Sequence, residues 1–217
     1  MSREADSTPR PLEAAGIDDW YRGLEFAFDW TSNNFPVWTR VLAPLADQPL
    51  RILEIGSYEG RSAIFFLNFL RRSAIVCVDV WHPSVLEPDL VRLMPHVLDE
   101  YPRAEGRFDR NMAAFADRVT KIKARSDDAL ADLGIGSERF DLIYIDGEHR
   151  RRAVYRDCML SWPLLKSGGM MVIDDYGFDL VLADELRPKQ GVDAFLAAMA
   201  GQFDVVHLAY QVIIRKR

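Results

Sequence analysis

Five short apolar runs, at residues 51–55, 74–80, 119–124, 140–146 and 170–174, alternate with stretches of helical periodicity, and this alternation constrains the chain most strongly. The runs are apolar almost continuously rather than at every second position, as strands are when both faces of a sheet are covered. Helical patterns at 61–72, 108–117, 127–133 and 151–165 fill the gaps, and such crossovers build a doubly wound α/β sheet. After a further helical pattern near 192–199 come two runs of β-formers, 203–208 and 210–215. So little chain separates them that only a tight antiparallel hairpin can join them. The expected fold is a mostly parallel, seven-stranded α/β sheet with helices on both faces and a C-terminal antiparallel hairpin.

Length and charge narrow the function. At 217 residues and 49% apolar the chain is one domain with a sizeable core, expected over 49–217. It is preceded by a helical cap at 17–48 and a frayed terminus at 1–16. Two short helices are expected in the cap, broken at 31–34; their aromatic residues suit packing onto the core or a lid over a site. A net charge of -6 argues against sequence-blind contact with nucleic acid or an anionic membrane. The longest uncharged apolar stretch, 63–70, is far short of the ~20 residues of a membrane span, and no hydrophobic segment follows the polar start. A cytoplasmic protein acting on a small molecule is expected, with a homo-oligomer left open. Cys77 and Cys158 have no metal or redox spacing and read as core residues.

The first strand runs into Glu54-Ile-Gly56-Ser57-Tyr58-Glu59-Gly60-Arg61-Ser62. Ligands of open α/β sheets bind beyond the carboxyl ends of the strands, where this turn lies. Gly56 allows a close backbone approach to a ligand, and Gly60 a tight entry into the helix. A dinucleotide needs G-x-G-x-x-G to seat its pyrophosphate, whereas Ser57-Tyr58 stand where the second glycine belongs and Glu59 precedes the helix. This disfavours a dinucleotide-dependent oxidoreductase. Glu54 suits a cationic or neutral cofactor, such as the amino-acid part of S-adenosylmethionine. Asp79, about twenty residues on and followed by Trp81, is placed to accept both hydroxyls of a ribose. Ser126-Asp127-Asp128 reads as an N-cap or as the edge of an adenine pocket, and Asn111 as a cofactor contact or a partner for buried backbone.

The fourth run ends in Asp146-Gly-Glu148-His149 and the fifth in Asp174-Asp175. If these strands are neighbours, ~4.8 Å apart, the three aspartates converge at the edge that carries Gly56. Their repulsion is relieved by protonation, by a cation such as Arg150, or by a hard divalent ion, with Mg²⁺ the leading candidate. Solvated loop ends are the alternative. Glu148 and His149 are the available general bases. His82, His96 and His207 are less suggestive, and Arg150-Arg151-Arg152 reads as an exposed helix start.

These residues resemble the class I S-adenosylmethionine-dependent methyltransferases, in particular a small O-methyltransferase group containing antibiotic sugar O-methyltransferases and relatives of catechol O-methyltransferase. The resemblance runs from about Asp29 to Arg217 through DWTSNNFPVW, RILEIGSYEGRS, FDLIYIDGEH, WPLLKSGGMMVIDDYG and YQVIIRK. It implies a Rossmann-like fold and methyl transfer from S-adenosylmethionine to a hydroxyl. By resemblance, Glu54, Gly56 and Gly60 hold the methionine part and Asp79 the ribose. Ser57, Ser62, Trp81, Ser126, Asp127 and Asp146 are further candidate cofactor contacts. Asp146, Asp174 and Asp175 are the Mg²⁺ ligands. The catechol branch has a lysine at the place of His149 and the sugar branch an aspartate at the place of Glu148. This sequence has neither, so the base stays open between His149 and Glu148. A cofactor-binding regulatory protein without turnover is the alternative from another class.

Overall fold

The computed structural model describes residues 16–217 apart from 84, 85, 87, 135–138 and 179–186. The expected frayed terminus, save Gly16, lies outside the described residues. The sheet comprises β1 (Arg51–Ile55), β2 (Ala74–Asp79), β3 (Val119–Lys123), β4 (Phe140–Ile145), β5 (Leu165–Ile173), β6 (Phe203–Leu208) and β7 (Val212–Lys216). Its order is β3-β2-β1-β4-β5-β7-β6. Strands β1 to β5 are parallel, while β7 is antiparallel to both β5 and β6. This is the expected doubly wound sheet with its terminal hairpin.

Helices cover both faces: α1 (Phe35–Leu42), α2 (Arg61–Phe69), α3 (Pro88–Leu93), α4 (Val97–Met112), α5 (Ser126–Leu133), α6 (Arg151–Ser161) and α7 (Pro188–Ala198). Because successive strand residues point to opposite faces, the central strands feed two cores. Ile52, Tyr144 and Val172 join Trp38, Phe65 and Phe66 in one; Leu53, Ile143 and Ile173 join Cys158 and Phe195 in the other. Both cysteines are buried in these cores. No described helix is long and apolar enough to cross a membrane.

Three expectations are corrected. Residues 17–30 do not form a helix: a 3₁₀ turn, Asp18–Tyr21, passes at Gly23 (φ +80°) into a non-helical strap. The amides of Glu25 and Ala27 are taken by side chains, Asn111 Oδ1 and Glu59 Oε2, so no helical ladder is needed. The helix expected at 108–117 is the end of α4, which begins at Val97 and contains Pro102, a residue that reads as a breaker. β5 starts at Leu165 instead of 170, carrying Gly168 at φ +80° beside a register shift against β4.

Topology places the site. Ile55 lies opposite both Val78 and Ile145, and Ile145 opposite Ile173. Gly56, Asp79, Asp146 and Asp174 therefore emerge at one carboxyl edge, where β1 lies between β2 and β4 and the chain order reverses.

Candidate active site

The turn after β1 is locked from three sides. The amide of Gly56 donates to Val78 O at 2.8 Å, and that of Gly60 to Ser57 O at 2.7 Å. Gly56 has φ +88°, and a Cβ there would lie 1.9 Å from the carbonyl oxygen of Asp146. The close approach that requires glycine is thus to the end of β4. Asp79 accepts from the amides of Tyr58 (2.8 Å) and Trp81 (2.7 Å). Burial pushes its carboxyl above the usual range, and those amides pull it back only in part. Trp81 turns away from the crevice: its ring packs on Phe108 and its Nε1 donates to Tyr58 O. Asn111 proves to be a backbone partner, donating to the carbonyls of Glu25 and Glu59.

Beyond this edge opens a cavity of about 980 Å³, mouth included. Gly56, Asp79, Ser126, Asp146, Glu148 and His149 all line it. A smaller cavity of about 360 Å³ shares Trp30, Gly56, Tyr58 and Asp146 with it and adds Ser57 and Ser62. Glu54, Gly60, Trp81, Asp127, Asp174 and Asp175 line neither. Sequence reasoning missed Trp30, Tyr58, Tyr101, Arg125 and Arg156 in the larger wall. Only the aromatic density of the strap hinted at any of them.

Glu54 shares the face of Ile52, so it points under α2, where it accepts from Ser62 Oγ at 2.5 Å and from Cys77 Sγ at 3.5 Å. Burial pushes its carboxyl from 4.5 up to about 7 against those hydrogen bonds. The folded state therefore holds the proton more tightly than the unfolded chain, and stability from this group is fully present below pH 4.5. It is lost as pH rises through about 7, a span worth about 3 kcal/mol. Glu54→Gln, which keeps an acceptor for Ser62, should flatten that slope in urea unfolding between pH 5 and 8. A slope unchanged by the substitution would exonerate Glu54.

The cap expected at Ser126 is not formed: Arg125 is the N-cap and Ser126 the first residue of α5. Ser126 Oγ instead donates to the buried Asp157 at 2.8 Å, and Asp127 pairs with Arg156 at 3.1 Å and Arg125 at 3.3 Å. Burial works against ionisation of Asp127, yet the two guanidiniums hold its carboxyl below the usual range.

The three-aspartate cluster is also rearranged. Asp174 falls on the Tyr144 face of the sheet, where it accepts from the hydroxyl of Tyr144 and from Asn34 Nδ2. Asp175, at φ +57°, doubles back so that its Oδ2 lies 2.9 Å from His149 Nε2, while Tyr210 donates to its Oδ1 at 2.5 Å. The donor atoms that converge within 4.8 Å of one another belong to Asp146, His149 and Asp175. Burial and the neighbouring Asp174 and Asp175 drive the Asp146 carboxyl well up; for Asp175, contact with His149 and Tyr210 outweighs burial and holds it low. Glu148 is engaged by Arg150 at 3.5 Å.

A family model described as a methyltransferase domain matches residues 53–176, from β1 to the turn after β5. The chain belongs to this family of methyltransferase domains. O-methyltransferase hkm8 of Aspergillus hancockii is 31% identical over 134 residues, 60% of this chain and 44% of that protein. A putative O-methyltransferase from Klebsiella pneumoniae superposes with a TM-score of 0.62 at 18% identity, covering 98% of this chain and 93% of the other. The MycE methyltransferase of the mycinamycin biosynthetic pathway, in complex with Mg, SAH and mycinamycin VI, gives 0.60 at 18% identity over 87% of this chain and 50% of its own. For SAH-bound PaMTH1 of Podospora anserina the score is 0.54 at 20%, with 97% and 99% covered. These structures establish a shared Rossmann-like methyltransferase fold. This methyltransferase domain spans about half the length of hkm8 and of MycE.

Proposed function

We propose that this domain moves a methyl group from S-adenosylmethionine to a hydroxyl of a small sugar- or phenol-type molecule, assisted by a divalent ion, Mg²⁺ foremost. The observation that carries the reading is that Asp79, Asp146 and His149 line one cavity whose floor includes Gly56. A ribose acceptor and a proton acceptor thus face the same space. S-adenosylmethionine, when bound, supplies a methyl on a sulfonium, a leaving group that needs no activation by the protein. What remains for the chain is to align, to exclude water and to take a proton. Asp79 in the cavity wall would take the ribose hydroxyls, Ser126 borders the adenine end, and Ser57 and Ser62 border the methionine end.

His149 is favoured over Glu148 as base. Its Nε2 lies 2.9 Å from Asp175, which fixes the ring in the wall of the cavity and stabilises the imidazolium that forms when it takes the substrate proton. Glu148 is drawn to Arg150 instead. Asp146 and Asp175 are the oxygen donors that would hold the ion, since Mg²⁺ takes one or two carboxylates and keeps several waters. Such an ion, when bound, lowers the pKa of a hydroxyl and orients it. Asp174 is committed to Tyr144 and Asn34 and stands outside that set.

The test is calorimetry with S-adenosylmethionine and with NAD, followed by methyl transfer to a panel of sugars and phenols, with EDTA and with added Mg²⁺. Binding of the first and transfer to one acceptor class are expected, with activity lost in EDTA and restored by the ion. NAD binding alone would sink the reading, and transfer undiminished in EDTA would sink its metal part.

A further inference from the structure

We infer that Arg61 is the specificity residue of the cofactor site, reading the carboxylate at the amino-acid end of the cofactor; this rests on the reading above. Arg61 opens α2 directly after Gly60 and lines the smaller cavity with Ser57 and Ser62. Among the described residues lining that cavity it is the one cation, because the others are apolar, neutral or acidic. The acid beside it, Glu59, is already engaged by Arg107 at 2.8 Å and by the amide of Ala27.

The guanidinium is held in place before any ligand arrives. Nη2 donates to Asp29 Oδ2 at 2.8 Å and to Ser32 Oγ at 2.7 Å, and Nε to the same Ser32 oxygen at 3.2 Å. The rings of Tyr21 and Phe26 lie 4.4 and 5.0 Å from its central carbon. Each of the three hydrogen bonds uses Nε or Nη2. The two N–H groups of Nη1 have no partner among the described residues, although the side chain is only 19% exposed. A second polar group lies in the same wall: the buried Ser57 hydroxyl faces the Glu54 carboxyl and the Cys77 thiol but closes no hydrogen bond at bonding geometry. A pre-oriented guanidinium edge beside such a hydroxyl is a carboxylate receptor, and of the two charged groups that an amino-acid end adds to a nucleoside the carboxylate is the one a guanidinium attracts.

The test compares S-adenosylhomocysteine, which carries the carboxylate, with 5′-methylthioadenosine, which lacks the amino-acid end, by calorimetry on the wild type, Arg61→Gln, Arg61→Lys and Asp29→Asn. Arg61→Gln should weaken S-adenosylhomocysteine about tenfold or more while shifting methylthioadenosine less than twofold. Arg61→Lys, which keeps the charge without the fork, should fall between and guards against misfolding of the glutamine variant. Asp29→Asn removes the charge that anchors Nη2 but keeps Ser32 and the two rings, so it should weaken S-adenosylhomocysteine less than Arg61→Gln does and leave methylthioadenosine within about twofold. Equal loss of both ligands in the Arg61 variants, or no loss of either, overturns the assignment. A wild type that binds neither ligand overturns the cofactor reading itself, and this inference with it.

Discussion

Gly56→Ala is expected to lower the free energy of unfolding by about 3–5 kcal/mol, the sum of left-handed backbone strain and a forced shift in a packed region. The alanine Cβ would sit 1.9 Å from Asp146 O and 2.5 Å from Asp146 C, and both are backbone atoms that cannot swing aside. The ends of β1 and β4 must part, which also displaces Asp146 from the cavity. Cofactor binding should therefore fail together with stability. Gly60 supplies the contrast: it has a similar φ, +83°, but an added Cβ would meet the end of the Met112 side chain at 2.9 Å. Gly60→Ala should cost about 1–2 kcal/mol, mostly strain, because a thioether chain can move. Urea unfolding of the two variants decides the matter. A Gly56→Ala protein as stable as Gly60→Ala would show that the contact with β4 carries no strain.

His149→Gln should reduce kcat by a factor of about 10²–10⁴, the usual worth of a positioned general base, with cofactor affinity nearly unchanged. Glu148→Gln should stay within a few-fold of wild type, since its carboxylate is drawn to Arg150 at the mouth. Tyr210→Phe removes one of the two hydrogen bonds that orient Asp175 and should reduce kcat by roughly tenfold, because it acts on the base only through that carboxylate. Single-turnover kinetics with saturating cofactor separates chemistry from binding. If Glu148→Gln proved slower than His149→Gln, the base would pass to Glu148, and the Asp175–His149 contact would be a loop tether.

How the strands were legible is plain from β1, whose bounds match the apolar run to the residue and whose last four residues are buried. Continuous apolar pattern is a local property, and a parallel sheet buried on both faces leaves no other way to read it. The strap at 22–30 shows the opposite case. Its aromatic spacing is helical, but its amides find partners on α4 and in the β1 turn, residues 32 to 86 positions away. No local pattern carries that information.

The same division runs through the site. That Gly56, Asp79, Asp146 and Asp174 share an edge follows from strand lengths and crossover handedness, both of which are written along the chain. Which way each carboxylate points was settled by packing. The two-residue period of a strand sends Glu54 and Asp174 onto the Tyr144 face, towards Ser62 and Asn34, while the positive φ of Asp175 returns its side chain to His149. Spacing brings acids to an edge; only the neighbours on either face decide which of them meet a ligand, because a buried carboxylate goes where donors are.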